Sequence, residues 1–134
     1  MILLDTCALL WTVNGDPLAP AATRAISQAT RAGSLFLSPI SAWEIGLLAS
    51  RRKLDLPSPP EVFVAALFAR PGVRLASFTP EVATRASFLP GDLHHDPADR
   101  ILVATALELG LRLVTRDRRL LAYGSAGYLS VLAC

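Results

Sequence analysis

Short, almost wholly apolar runs alternate with stretches of helical periodicity along the entire chain. Ile2 to Leu4 is an apolar run ended by Asp5, the pattern of a strand buried on both faces. Thr6 to Val13 then follows helical spacing and stops at Asn14-Gly15-Asp16-Pro17, a cluster of turn residues. The same reading predicts strands over Leu35–Ser38, Val73–Phe78, Leu111–Thr115 and Tyr128–Leu132. It predicts helices over Pro20–Ala32, Ile40–Arg52, Glu61–Ala69, Pro80–Leu89, Pro97–Leu109 and Asp117–Tyr123. Proline at the start and glycine just past the end mark several of them, most clearly Pro97 and Gly110. Strands that alternate with helices imply parallel pairing with helices on both faces, because each return needs a crossover. The expected fold class is therefore α/β: a three-layer domain with a central parallel sheet flanked by helices, one domain spanning residues 1–134.

Composition supports a packed core. Hydrophobic residues make up 52% of the 134 and charged residues 18%, too apolar a balance for a disordered chain. At this length about two-thirds of the unfolded surface can be buried without staples. The two cysteines, Cys7 and Cys134, form no disulfide framework and read as reduced thiols. Asp5 interrupts the apolar N-terminus before a signal peptide can form, and no run approaches the roughly 20 apolar residues of a membrane span. A cytoplasmic protein with no membrane contact is expected.

Eleven acidic residues remain to be explained, and four of them fall where chemistry is expected. Asp5 ends the first strand, and Asp117 lies just beyond the fourth. In open α/β sheets, sites form at the carboxyl ends of strands where the strand order reverses. If strands one and four are neighbours, the two acids converge there. Glu44 sits early in the helix after strand two, and Asp99 in the first turn of the helix from Pro97. Each also has a structural explanation: Asp5 and Asp117 as helix N-caps, Asp99 as a charge complementing the helix dipole. For Asp96, capping is the better reading. Glu44 resists such an account, since its helix has almost no other polar residue before Arg51.

Physics separates a cluster from four independent caps. Two carboxylates about 4 Å apart repel by roughly 4 kcal/mol at an effective dielectric of 20. Four ionised together need a cation, and Mg2+ or Mn2+ suits an all-oxygen site. Zinc does not, because His94 and His95 are adjacent loop residues and neither cysteine stands at ligand spacing from them. A metal held by carboxylates can polarise a phosphodiester and activate water. Arginine supplies twelve of the thirteen basic residues, with Lys53 the exception. Arg100, Arg116 and Arg118 lie beside the acids and are expected to hold a phosphate backbone. Codon bias in a GC-rich genome explains the arginine excess equally well, and Arg51–Lys53 read equally as a helix C-terminus. Trp11 and Trp43 read as core.

Four blocks carry a resemblance. They are Leu3-Leu4-Asp5-Thr6, Ser38-Pro39-Ile40-Ser41-Ala42-Trp43-Glu44-Ile45, Asp96-Pro97-Ala98-Asp99-Arg100 and Leu113-Val114-Thr115-Arg116-Asp117. In this order and spacing they resemble the PIN-domain family, and within it the VapC-type toxins. The resemblance covers essentially the whole chain. It implies a Mg2+- or Mn2+-dependent ribonuclease, homodimeric and inhibited by a cognate antitoxin, with DNA met only through that antitoxin. The antitoxin is expected to lay a helix along an apolar groove and push a basic side chain into the acidic pocket. It matches Asp5, Glu44, Asp99 and Asp117 to the family's catalytic and metal-holding acids, and Thr6, Ser41 and Thr115 to its supporting polar positions beside Asp96. Cys7 and His95 depart from the residues relatives often carry there. A rival reading keeps the fold but makes the chain a subunit of a DNA-binding repressor with little nuclease activity. A haloacid-dehalogenase-like phosphatase is disfavoured because its second aspartate would stand at position 7, where Cys7 stands. No glycine-rich phosphate loop follows any strand.

Overall fold

The computed structural model describes all 134 residues. Five strands and seven helices follow one another as β1 (Ile2–Leu4), α1 (Thr6–Asn14), α2 (Pro20–Arg31), β2 (Leu35–Leu37), α3 (Pro39–Ser50), α4 (Pro60–Phe68), β3 (Val73–Leu75), α5 (Pro80–Ser87), α6 (Pro97–Leu109), β4 (Arg112–Thr115), α7 (Arg118–Ser125) and β5 (Val131–Ala133). The strands form one sheet in the order β3-β2-β1-β4-β5, and every recorded pairing is parallel. The expected three-layer α/β architecture is the observed one.

The pleat sorts the apolar strand residues into two cores. Ile2 and Leu4 face one side of the sheet and Leu3 the other; Leu35 and Leu37 oppose Phe36 in the same way. One core joins Leu3, Phe36 and Leu113 to Val82, Leu102, Val103 and Leu120 of α5, α6 and α7. The other joins Leu4, Leu37 and Val114 to Leu9, Ile26, Ile45 and Leu67 of the remaining helices. Burying each such side chain fully contributes about 1.5–3 kcal/mol. Both faces of the three central strands are therefore covered, and their sequences need no polar alternation.

The edges behave differently. β3 is only partly buried, with Leu75 exposed, and it ends three residues short of the expected Phe78. Trp43 corrects a second expectation. It is 59% exposed rather than core, because α3 turns only part of its nearly all-apolar circumference inward, burying Ser41 and Ile45.

Helix ends follow local chemistry. Asp5, Ser38, Asp96 and Asp117 cap α1, α3, α6 and α7 through their side chains. Gly110 ends α6 at φ 64°, a conformation costly for residues with a Cβ. No helix is long and apolar enough to cross a membrane.

Candidate active site

β1 and β4 are paired neighbours, with Leu4 opposite Val114, and strand order reverses between them. That crevice is where an open α/β sheet offers a site. The backbone enforces it: the Asp5 amide donates to Val114 O at 3.1 Å, so the residue after β1 is held against the end of β4. A cavity of about 300 Å³ opens there. It is lined by Asp5, Thr6, Cys7, Trp11, Glu44, Asp99, Leu102, Arg116 and Asp117. Four carboxylates reach it, Asp5, Asp99 and Asp117 from the starts of α1, α6 and α7 and Glu44 from the second turn of α3.

The inner wall is polar, buried and without a cation. Asp5 is 7% exposed and accepts the Ala8 amide at 2.6 Å, so capping and cavity lining coincide in one residue. Thr6 donates to Glu44 Oε1, and the Thr6 and Ser41 hydroxyl oxygens lie 2.9 Å apart. Thr6 has one hydroxyl proton; given to the carboxylate, it leaves Ser41 to complete the chain. Thr115 is fully buried and its Oγ1 accepts the Asp117 amide at 3.0 Å, tying β4 to the start of α7.

The outer lip carries an imidazole and a guanidinium. Asp99 Oδ2 accepts from His94 Nε2 at 2.7 Å, while His94 Nδ1 is buried without a partner. Asp117 Oδ1 accepts the amides of Arg119 and Leu120, and its Oδ2 lies 3.3 Å from Arg119 Nη2. The same guanidinium nitrogen is 3.9 Å from Asp99 Oδ2. Asp96 sits outside the lining, where its Oδ1 accepts the Asp99 amide at 2.9 Å and orients that turn.

Electrostatics cuts across this line: Asp99 on the lip is raised together with Asp5 and Glu44, and Asp117 alone is lowered. Burial pushes the Asp5 carboxyl above its ordinary value; the Thr115 hydroxyl and Ala8 amide oppose the shift, and Asp99 and Asp117 add to it. Glu44 is raised by burial, against the Thr6 hydrogen bond and reinforced by Asp99 and Asp96. Asp99 is raised by burial despite its bond to His94. For Asp117 burial acts upward, but the Arg119 side chain and two backbone amides outweigh it and lower the pKa. The Cys7 thiol is pushed up to about 11, first by burial and then by Asp5, Glu44 and Asp99, so it stays protonated at neutral pH.

The donor set fits a hard divalent cation. It is all oxygen, and a 2+ charge would relieve the three raised carboxyls. No three of the acidic, imidazole or thiol groups close into a ready-made cage. An ion that keeps several waters and takes one or two carboxylates directly needs no such cage.

The arginines separate in a way the sequence did not indicate. Arg116 lines the cavity, its guanidinium 4.0 Å above the Trp11 ring and bonded to the Cys134 and Pro17 carbonyls. Arg118 is exposed and outside the lining. Arg100 is turned away altogether: its guanidinium donates to the carbonyls of Ala86, Leu93 and His94. That corrects its expected role at a phosphate, since its donors hold the α5–α6 loop. Arg119 and His94 form the cavity lip: the sequence puts Arg119 beside Asp117 with no assigned role, and His94 reads there as a loop residue.

The PIN domain family profile matches residues 2–125. The chain belongs to the PIN-domain family, and the cavity just described lies within the matched span. It is 39% identical over 120 residues to "Ribonuclease VapC22" of Mycobacterium tuberculosis, covering 89% of this chain and 88% of that protein, which places it with the VapC members. Two solved structures are similar in fold. VapBC2 from Rickettsia felis, bound to a DNA fragment from their promoter, superposes with TM-score 0.71 at 15% identity, covering 99% of this chain and 98% of that one. DNA-bound VapBC from Salmonella typhimurium gives 0.67 at 18% identity with the same coverage.

Proposed function

We propose that this protein is a divalent-metal-dependent endoribonuclease, the toxin of a toxin–antitoxin pair, acting in the cytoplasm as a homodimer. The observation that carries the reading is the convergence of Asp5, Glu44, Asp99 and Asp117 on one cavity at the β1–β4 crevice, with three of them destabilised as anions. The likeness to a protein named as a ribonuclease supports it.

Asp5 and Asp99 are the residues that would hold Mg2+ or Mn2+ most directly, with Asp117 completing the site directly or through water. Bound there, the ion would polarise the scissile phosphate and lower the pKa of a coordinated water. Glu44, held by the Thr6 hydroxyl that Ser41 backs, orients the attacking water and takes its proton. Thr115 braces the Asp5–Asp117 side. Arg116, fixed against Trp11, presents positive charge to the incoming backbone, and Arg118 adds charge farther out.

Cleavage of total cellular RNA by purified, partner-free protein tests this reading. Cutting is expected with Mg2+ or Mn2+, none with EDTA, and none from Asp99→Asn. Metal-independent cutting, or full activity in Asp99→Asn, overturns it. A second reading is favoured by the fold relatives solved on DNA: with its antitoxin the chain also forms a promoter-binding complex, touching DNA only indirectly. Binding of the reconstituted pair, but not of this chain alone, to its own promoter fragment checks that.

A further inference from the structure

Arg119 is the one cation paired with two acids of the cavity, 3.3 Å from Asp117 Oδ2 and 3.9 Å from Asp99 Oδ2. Its side chain is 60% exposed, and its recorded side-chain partners are those carboxylates alone. Arg116 differs: two carbonyls and an aromatic ring fix it whether or not the acids are occupied. Arg119 also borders a second cavity of about 540 Å³, shared with Asp92, His94, Tyr123 and Tyr128, which gives the side chain room to leave.

We propose that Arg119 is a resident counter-ion of the acidic cavity, occupying its lip in the metal-free protein and displaced by the divalent cation. This rests on the reading that these acids hold a metal. The metal and the guanidinium need the same carboxylates, and two cations cannot share them without repulsion. Displacement frees a planar phosphate-binding group at the mouth where the substrate backbone enters. The design keeps the outer acids neutralised until metal arrives, so Arg119 weakens metal binding rather than assisting it. The ion pair is exposed, so the competition is modest: removing it tightens metal binding about two- to fivefold.

Mn2+ titration tests this, with the free ion followed by electron paramagnetic resonance at fixed ionic strength. Wild type, Arg119→Gln, Arg118→Gln and Asp99→Asn are compared. Arg119→Gln is expected to bind Mn2+ two- to fivefold more tightly, and Mn2+ should raise its melting temperature by more than it raises that of wild type. Arg118→Gln, which removes the same charge one residue away from any recorded ion pair, is expected to match wild type. Unchanged or weaker binding by Arg119→Gln overturns the proposal. Equal tightening by both arginine variants does so too, because net charge alone then explains it. If wild type shows no saturable Mn2+ binding, or Asp99→Asn binds as well as wild type, the metal reading itself fails. Tight binding lost in Asp99→Asn but unaffected in Arg119→Gln removes only the counter-ion.

Discussion

The inner wall and the outer lip of the acidic cavity both present carboxylates, under different conditions. Asp5, Thr6, Ser41 and Thr115 are all at most 7% exposed, knit by hydroxyl and amide donors, and meet no cation. Asp99 and Asp117 are partly open to water and are met by His94 and Arg119. Burial disfavours the ionised form of the wall acids, which a cation or a proton would relieve, whereas Asp117 on the lip is already paired with Arg119. If these acids hold a metal as proposed, the buried wall supplies the fixed part of the site and the exposed lip the exchangeable part.

The largest effect that can break this comparison comes from neutralising one acid on each side. Asp5→Asn preserves the cap acceptor for the Ala8 amide but removes the charge. If Asp5 holds the metal, RNA cleavage falls at least about a hundredfold, the loss of several kcal/mol of transition-state stabilisation. Asp117→Asn should cost less, about tenfold to a hundredfold, as for a partner acting through water. Equal losses would show that the two walls do not differ in function. Asp5→Ala removes the cap as well, adding a stability loss of about 1 kcal/mol that Asp5→Asn escapes.

His94 comes next. Its bond to Asp99 Oδ2 leaves Oδ1 as the oxygen free to face the cavity, which makes His94 a positioning residue. His94→Ala is expected to weaken Mn2+ binding about tenfold, with partial rescue by His94→Gln, whose amide can still donate. Mn2+ affinity unchanged in His94→Ala would remove His94 from that role.

Arg100 provides a control of smaller size. Its donors brace the loop that carries His94, with bonds at 2.8 and 3.0 Å to Ala86 and Leu93 carbonyls. Arg100→Lys keeps the charge but loses the fork, and should cost roughly 1–3 kcal/mol of stability, the worth of such charged bonds. The salt dependence of RNA binding should stay the same. A reduced salt slope would return Arg100 to the phosphate contacts that its sequence position suggests.

These residues also show what the chain makes legible. α6 matches its expected span of Pro97–Leu109, because Asp96, Pro97 and Gly110 are local signals that act on adjacent backbone. The convergence of Asp5 and Asp117 was conditional on strands one and four pairing, and the parallel β1–β4 ladder supplies that condition. What stayed hidden depends on side-chain paths across distant segments. His94 reads as a loop histidine until the α5–α6 connection folds it onto Asp99. Arg118 and Arg119 are equivalent in sequence, and only the first turn of α7 decides which one folds back over Asp117. Arg100 sits beside an acid in sequence but reaches Ala86, fourteen residues earlier, in space. Trp43 looked buried because almost every residue of α3 is apolar, and periodicity cannot choose an inward face where all faces read alike.

The smallest expected effect, and the one that most sharpens the contrast, is the pH dependence of stability without metal. Asp5, Glu44 and Asp99 have folded pKa values above their ordinary 3.8, 4.5 and 3.8. In the window between the unfolded and folded values the folded chain binds more protons, so stability falls as pH rises through it. Asp117 has the opposite sign: its pKa lies below 3.8, so its contribution is present above that value and fades only at lower pH. In EDTA the melting temperature should therefore decline as pH climbs from about 4.5, the three raised acids outweighing Asp117. Asp99→Asn should melt like wild type below the window and higher than wild type above it. Saturating Mn2+ should flatten or reverse the slope, since binding requires ionised carboxylates. A melting temperature that rises with pH in EDTA would mean that Asp5, Glu44 and Asp99 are already compensated, and the buried wall would store no unfavourable charge.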